Sequence, residues 1–143
     1  MTTRPQRGTA TVEFALMAPL ILLLLAGVLD YTMLMRSAIA VADAARAGAK
    51  YGSLTSANAS DTAGMQSAAL NAAPDIGGLT ATAAKVCKCS DGSTVTCGTG
   101  TCASGTVRVY VQVTAQTTVN ALFSYSQLPF TGAVSSTACM RAQ

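Results

Sequence analysis

Hydrophobic positions along the chain change texture twice. From Ala10 to Leu29 they run almost unbroken, with Thr11 and Glu13 the clearly polar residues among twenty. As a helix this run spans about 30 Å, the thickness of a bilayer's hydrocarbon core. The helical pattern then continues through "DYTMLMRSAIAVADAARAGAKYG", which has no proline and no glycine before Gly48. Met33, Ala40, Ala44 and Gly48, with Leu34, Ala38, Val41 and Ala45, recur at three- and four-residue spacing, while Arg36, Asp43 and Arg46 mark other faces. This spacing predicts an alanine-rich amphipathic helix. It joins the apolar run in one helix from about Val12 to about Ala47.

"YGSLTSANASD" (51–61) is small and polar and reads as a loop. A short second helix follows, capped by Asp61 or Thr62, with Met65, Ala68, Ala69, Ala72 and Ala73 as its apolar positions and Pro74 as its stop. From Leu79 the period drops to two. Residues 79–87 alternate, 106–119 alternate strictly with Val107, Val109, Val111 and Val113 on one face, and 131–141 alternate loosely. "ALFSYSQLPF" (121–130) reads as a connection whose Phe123, Tyr125 and Phe130 seal the core's edge. The fold class is therefore α+β: a long amino-terminal helix, a short helix and a small antiparallel sheet of three or four strands, its valine face on the outer half of the long helix.

Composition narrows the chemistry. There is no histidine, which removes the commonest general base and zinc nitrogen ligand. Beyond Leu29 there are five aspartates, no glutamate and seven Lys/Arg without a basic run. The sequence therefore predicts a non-enzyme with no cofactor, no metal, no small-molecule substrate and no nucleic-acid partner.

Cys87, Cys89, Cys97 and Cys102 lie within "CKCSDGSTVTCGTGTC", and Cys139 stands apart. C-x-C followed closely by C-x4-C is a poor zinc pattern, whereas a small domain with a thin core outside the cytoplasm is where disulfides are expected. "SDG" marks a turn, so the four cysteines decorate a hairpin. Nested pairing, Cys89 with Cys97 and Cys87 with Cys102, suits a hairpin, but the sequence does not decide it. Cys139 is then unpaired or a handle for another subunit.

Three readings compete at the amino terminus: a cleaved secretory signal, a signal anchor and a prepilin. A signal peptide needs a small-residue site after its apolar run, and here the helix continues instead. A plain anchor, oriented by Arg4 and Arg7 with its head in the cytoplasm, leaves Glu13 unexplained. "RGTATVEFALMAPLILLLLAGVLDY", the "AAR-G-x-YG" pattern at 44–52 and the closing "TACMRAQ" resemble TadE-like pseudopilins, minor components of the tight-adherence branch of type IV pili. Cys139 beside the methionine departs from the family's last strand.

The resemblance implies a basic leader cut by a prepilin peptidase between Gly8 and Thr9, which makes Glu13 the fifth mature residue. It further implies that Glu13 neutralises the freed ammonium of a neighbouring subunit, since a charge buried in a membrane is tolerated when paired. The bland alternative is that Glu13 lies near the interface and snorkels to water. Pro19 removes a backbone donor and is expected to bend the helix or loosen it locally.

The expected organisation is a cleaved leader (1–8), a transmembrane helix (9–29), an amphipathic extension (30–50) and an extracytoplasmic domain (51–143). Its setting is the bacterial inner membrane, single-pass with the amino terminus cytoplasmic. Its partners are the membrane, the prepilin peptidase, other pilin or pseudopilin subunits and the pilus assembly platform. The competing function is a signal-anchored extracytoplasmic binding module, neither processed nor part of a pilus.

Overall fold

The computed structural model describes residues 9–103, 105–120 and 131–142. Helix α1 runs from Thr9 to Ser53, helix α2 from Thr62 to Ala72, and four strands follow: β1 (Thr80–Cys89), β2 (Thr94–Val95), β3 (Val107–Asn120) and β4 (Thr131–Arg141). The α+β class predicted from the pattern is what is observed. The long helix exceeds its expected bounds at both ends, because nothing in "AGAKYGS" breaks it before a single 3-10 turn at Asn58–Ser60. The 121–130 connection, with Phe123, Tyr125 and Phe130, lies outside the described residues.

The sheet is antiparallel in the order β2-β1-β3-β4. Its one covered face carries both helices side by side: α1 lies over β3 and β4, and α2 over β1. One core cluster joins Ala49, Ala59, Met65, Ala69, Val111 and Val113. A second joins Val41, Ala44, Ala45, Ala73 and Ala115. Met65 is the largest fully buried side chain, and its burial is worth roughly 1.5–3 kcal/mol. The valine stripe is only half inside: Val111 and Val113 are fully buried, and Val107 is 39% exposed. Two expected apolar positions also face solvent, Met33 on α1 and Ala72 on α2.

Thin side chains let α1 approach closely. A Cβ on Gly48 would stand 2.7 Å from the Met65 carbonyl oxygen, 3.0 Å from Val113 Cγ1 and 3.1 Å from Ala69 Cβ. The first of these is backbone and cannot turn aside. A Cβ on Gly52 would collide with the Met65 sulfur.

Asp61 performs the predicted capping: its Oδ1 accepts from the Gly64 amide at 2.9 Å, and its Oδ2 accepts from the Tyr51 hydroxyl at 2.9 Å. The α2 start is thereby tied to the last turn of α1. These bonds hold Asp61 below its ordinary carboxylate range, the Gly64 amide contributing most, while Tyr51 is raised because its proton is shared with the carboxylate. Thr117, the one polar side chain buried among the described residues, donates to the Gly77 carbonyl at 2.9 Å. It fixes the turn at Gly77–Gly78, where Gly78 has φ of +69°.

Gly48→Ala is expected to cost about 1–3 kcal/mol through overpacking and to lower the Tm of the detergent-solubilised chain by roughly 5–10 °C. An unchanged Tm would mean that α1 and α2 do not meet at this distance. The Asp61 bonds predict a pH dependence. A carboxylate with a depressed folded pKa contributes stability above its unfolded pKa of about 3.9, lost as pH falls through the lower folded value. The raised Tyr51 contributes below about pH 10 and loses its share as pH rises through its folded pKa. Asp61→Asn should therefore show a smaller drop in Tm between about pH 6 and pH 3 than the wild type, by differential scanning fluorimetry.

Candidate functional site

The residues singled out by the sequence sit in two separate places. Thr9 is the first residue of α1, and Gly8 lies outside the described residues. Glu13 is one turn further along and is exposed. A rise of about 6 Å separates positions i and i+4, which lie on the same helix face. Among the described residues no basic side chain forms an ion pair with Glu13; the ion pair found is Arg46–Asp43, at 3.2 Å. Pro19 sits inside α1, which stays helical on both sides of it. The amide it lacks would have bonded the Ala15 carbonyl.

Around these residues the helix surface is apolar and uncovered. Phe14, Leu16, Met17 and Leu20 to Leu25 are all exposed, and α1 is long and apolar enough to cross a membrane. The surface changes character near Leu34 and Val41, where α1 meets Gly132 of β4 and the second core cluster. Here an open groove of about 610 Å³ separates Tyr31, Met35 and Ile39 from Pro74 and Ile76.

The cysteines occupy the far end of the sheet. Two disulfides form, Cys87–Cys97 and Cys89–Cys102, so the pairing is interleaved rather than nested. The reason lies in the register. Cys87 faces Val95 across the short β1–β2 ladder, and Cys97 lies two residues beyond Val95 on the returning chain, within reach of Cys87. The turn between the strands has the Cys89 amide bonded to the Ser93 carbonyl at 2.8 Å and Gly92 at φ of +91°. Cys102 then returns over Cys89. Both β1 cysteines are buried on the covered face, where they extend a core that α1 no longer covers. Cys139 is a free, exposed thiol on the opposite face, paired in register with Gln112.

That open face also gathers groups that sequence reasoning left dispersed. Lys88 stands opposite Arg108, and Tyr110 stands opposite Arg141. Arg108 and Tyr110 are on the non-valine phase of β3, a signal visible in the sequence; only the register shows that Lys88 and Arg141 converge with them. Among the described residues no three His, Cys, Asp or Glu side chains converge as a metal site would require.

The arrangement defines an α+β protein carried on one helix that is apolar enough to anchor it in a membrane. Residues 8–50 match the family model described as TadE-like protein, so the similarity runs from the edge of the expected leader to the last turn of α1. Neither the curated proteins nor the solved structures provide a match to the chain.

The interleaved disulfides close sequence separations of 10 and 13 residues, worth roughly 2–3 kcal/mol each on a loop-entropy basis. Cys87→Ser with Cys97→Ser should lower stability by about that amount. Non-reducing tryptic digestion cuts between Cys87 and Cys89 after Lys88, and tandem mass spectrometry should then link Cys87 to Cys97. A Cys87–Cys102 link would establish the nested alternative.

Proposed function

We propose that the protein is a minor pilin-like subunit of a tight-adherence, Flp-type pilus system, processed by a prepilin peptidase between Gly8 and Thr9. The observation that carries this reading is Glu13: a carboxylate on an uncovered apolar helix face, five residues past a glycine, in a segment that matches TadE-like proteins. A charge in that setting is costly, about 2.5–3.5 kcal/mol at the bilayer centre, and calls for a partner. Cleavage after Gly8 creates one, the ammonium of Thr9. On a neighbouring subunit this ammonium can meet Glu13 while both helices remain in an apolar environment, and the pair then sets the axial register of one subunit against the next.

In this reading residues 1–8 are the leader, 9–29 the span, 30–50 its extension and 51–143 the extracytoplasmic domain. The inner membrane holds the chain with its amino terminus in the cytoplasm, consistent with Arg4 and Arg7 preceding the apolar run. The subunit's partners are the peptidase, other pilin-type helices and the assembly platform. The role is structural rather than enzymatic. A sheet domain with two disulfides is more than a helix-only major subunit needs, which favours initiating, capping or regulating the fibre.

Intact mass of the membrane-extracted protein, with and without the peptidase, tests the reading. A loss equal to residues 1–8, abolished by Gly8→Leu, is expected, and Glu13→Ala should then leave processing intact while reducing pilus assembly at least tenfold. A full-length mass in both samples would overturn it in favour of a permanently anchored binding module.

A further inference from the structure

The open face of the sheet carries a charge pattern for which the proposed role of Glu13 gives no account. Lys88 and Arg108 are directly opposed across β1 and β3, and Tyr110, two residues along, lies between Val86 and Arg141. Their strand neighbours Cys87, Val111 and Met140 turn to the covered face. Like charges placed opposite one another destabilise a sheet. Among the described residues no carboxylate forms an ion pair with any of the three cations. Asp91, at the adjoining turn, is instead bonded to the Ser93 hydroxyl at 2.7 Å and amide at 2.9 Å. Lys85, which pairs with Val111, is on the covered face instead, its Nζ 3.0 Å from the Ser60 hydroxyl.

We propose that this face binds a carboxylated polysaccharide. The charge calls for a polyanion, and the rest of the face selects the kind. Beyond the cations the same surface continues as Gln112, then a row of Thr82, Thr114 and Thr137, with the last two hydroxyls 2.8 Å apart. Amide and hydroxyl groups match sugar hydroxyls, guanidinium groups match carboxylates bidentately, and the Tyr110 ring offers an apolar plate for sugar C–H groups. A face uncovered by any described helix suits an extended chain. Three cations with one aromatic ring fall short of the stacking groove that single-stranded nucleic acid uses.

Location argues against the protein's own bilayer, granted that α1 is the span. Gly52, which packs on Val111 at this end of the sheet, is about 35 Å along the helix from Leu29. Lipid charge is screened over about 8–10 Å.

The test uses the full chain in phosphatidylcholine nanodiscs, titrated separately with alginate, neutral dextran, duplex DNA and phosphatidylglycerol vesicles. Alginate should bind and dextran should not, and raising salt from about 50 to 500 mM should weaken alginate binding more than tenfold. Lys88→Gln with Arg108→Gln and Arg141→Gln should lower alginate affinity at least tenfold. Arg36→Gln with Arg46→Gln and Lys50→Gln, which removes equal charge elsewhere, should change it less than twofold. Arg108→Gln alone, at an exposed position, should cost about threefold and guards against misfolding of the triple variant. Equal losses in the two triple variants, full binding by the patch variant, or tighter binding of DNA or vesicles than of alginate would each overturn the proposal.

Discussion

The contact between the glycine-alanine face of α1 and the Val111–Val113 stretch of β3 is the constraint on which the rest of the structure depends. It joins a helix that is bare for most of its first half to a sheet whose strands β3 and β4 have no other large cover among the described residues. Small residues at 44, 45, 48, 49 and 52 make the approach possible, and Met65 of α2 fills the space they leave. Because the side chains are small, each contributes little burial. Stability comes from closeness of fit, and single added methyl groups are consequential.

Where that contact ends, the molecule changes its means of support. Past the last turn of α1 the described residues cover this face with no more than the short 3-10 turn at Asn58–Ser60, and the two disulfides take over, with buried Cys87 and Cys89 as the substitute core. The Asp61 carboxylate bridges the two regimes by holding the start of α2 and the end of α1 with two hydrogen bonds. The domain thus has an apolar centre of alanine and valine, a polar clasp and a covalent tip.

Much of this was legible in the residue pattern, for identifiable reasons. Period-two alternation from 106 to 119 placed β3, Asp61 and Pro74 bracketed α2, and the unbroken run past Leu29 announced a helix longer than a span. What escaped depended on register. Interleaved rather than nested disulfides follow from Cys87 facing Val95, a pairing that no spacing rule specifies. The basic face escaped for the same reason: Lys88, Arg108 and Arg141 are scattered along the chain and meet only when three strands align. Burial along the valine stripe was overestimated at Val107, because alternation reports which face a residue is on and not whether anything covers it. Gly8, Thr9 and Glu13 drew attention through local chemistry, a glycine boundary and a charge in an apolar run, which needs no tertiary information.

The continuity of α1 has a mechanical corollary. From Pro19 to Ser53 the helix contains no further proline, and it runs from the uncovered segment directly into the packed one. Torsion applied at one end is therefore delivered at the other. Successive residues are about 100° apart around the axis, so a neighbour that grips Glu13 rather than Phe14 would swing the whole sheet through more than a quarter turn. On the proposed reading the azimuth of the domain is keyed to Glu13, an exposed side chain near the far end of α1, and the helix acts as a driveshaft rather than a tether.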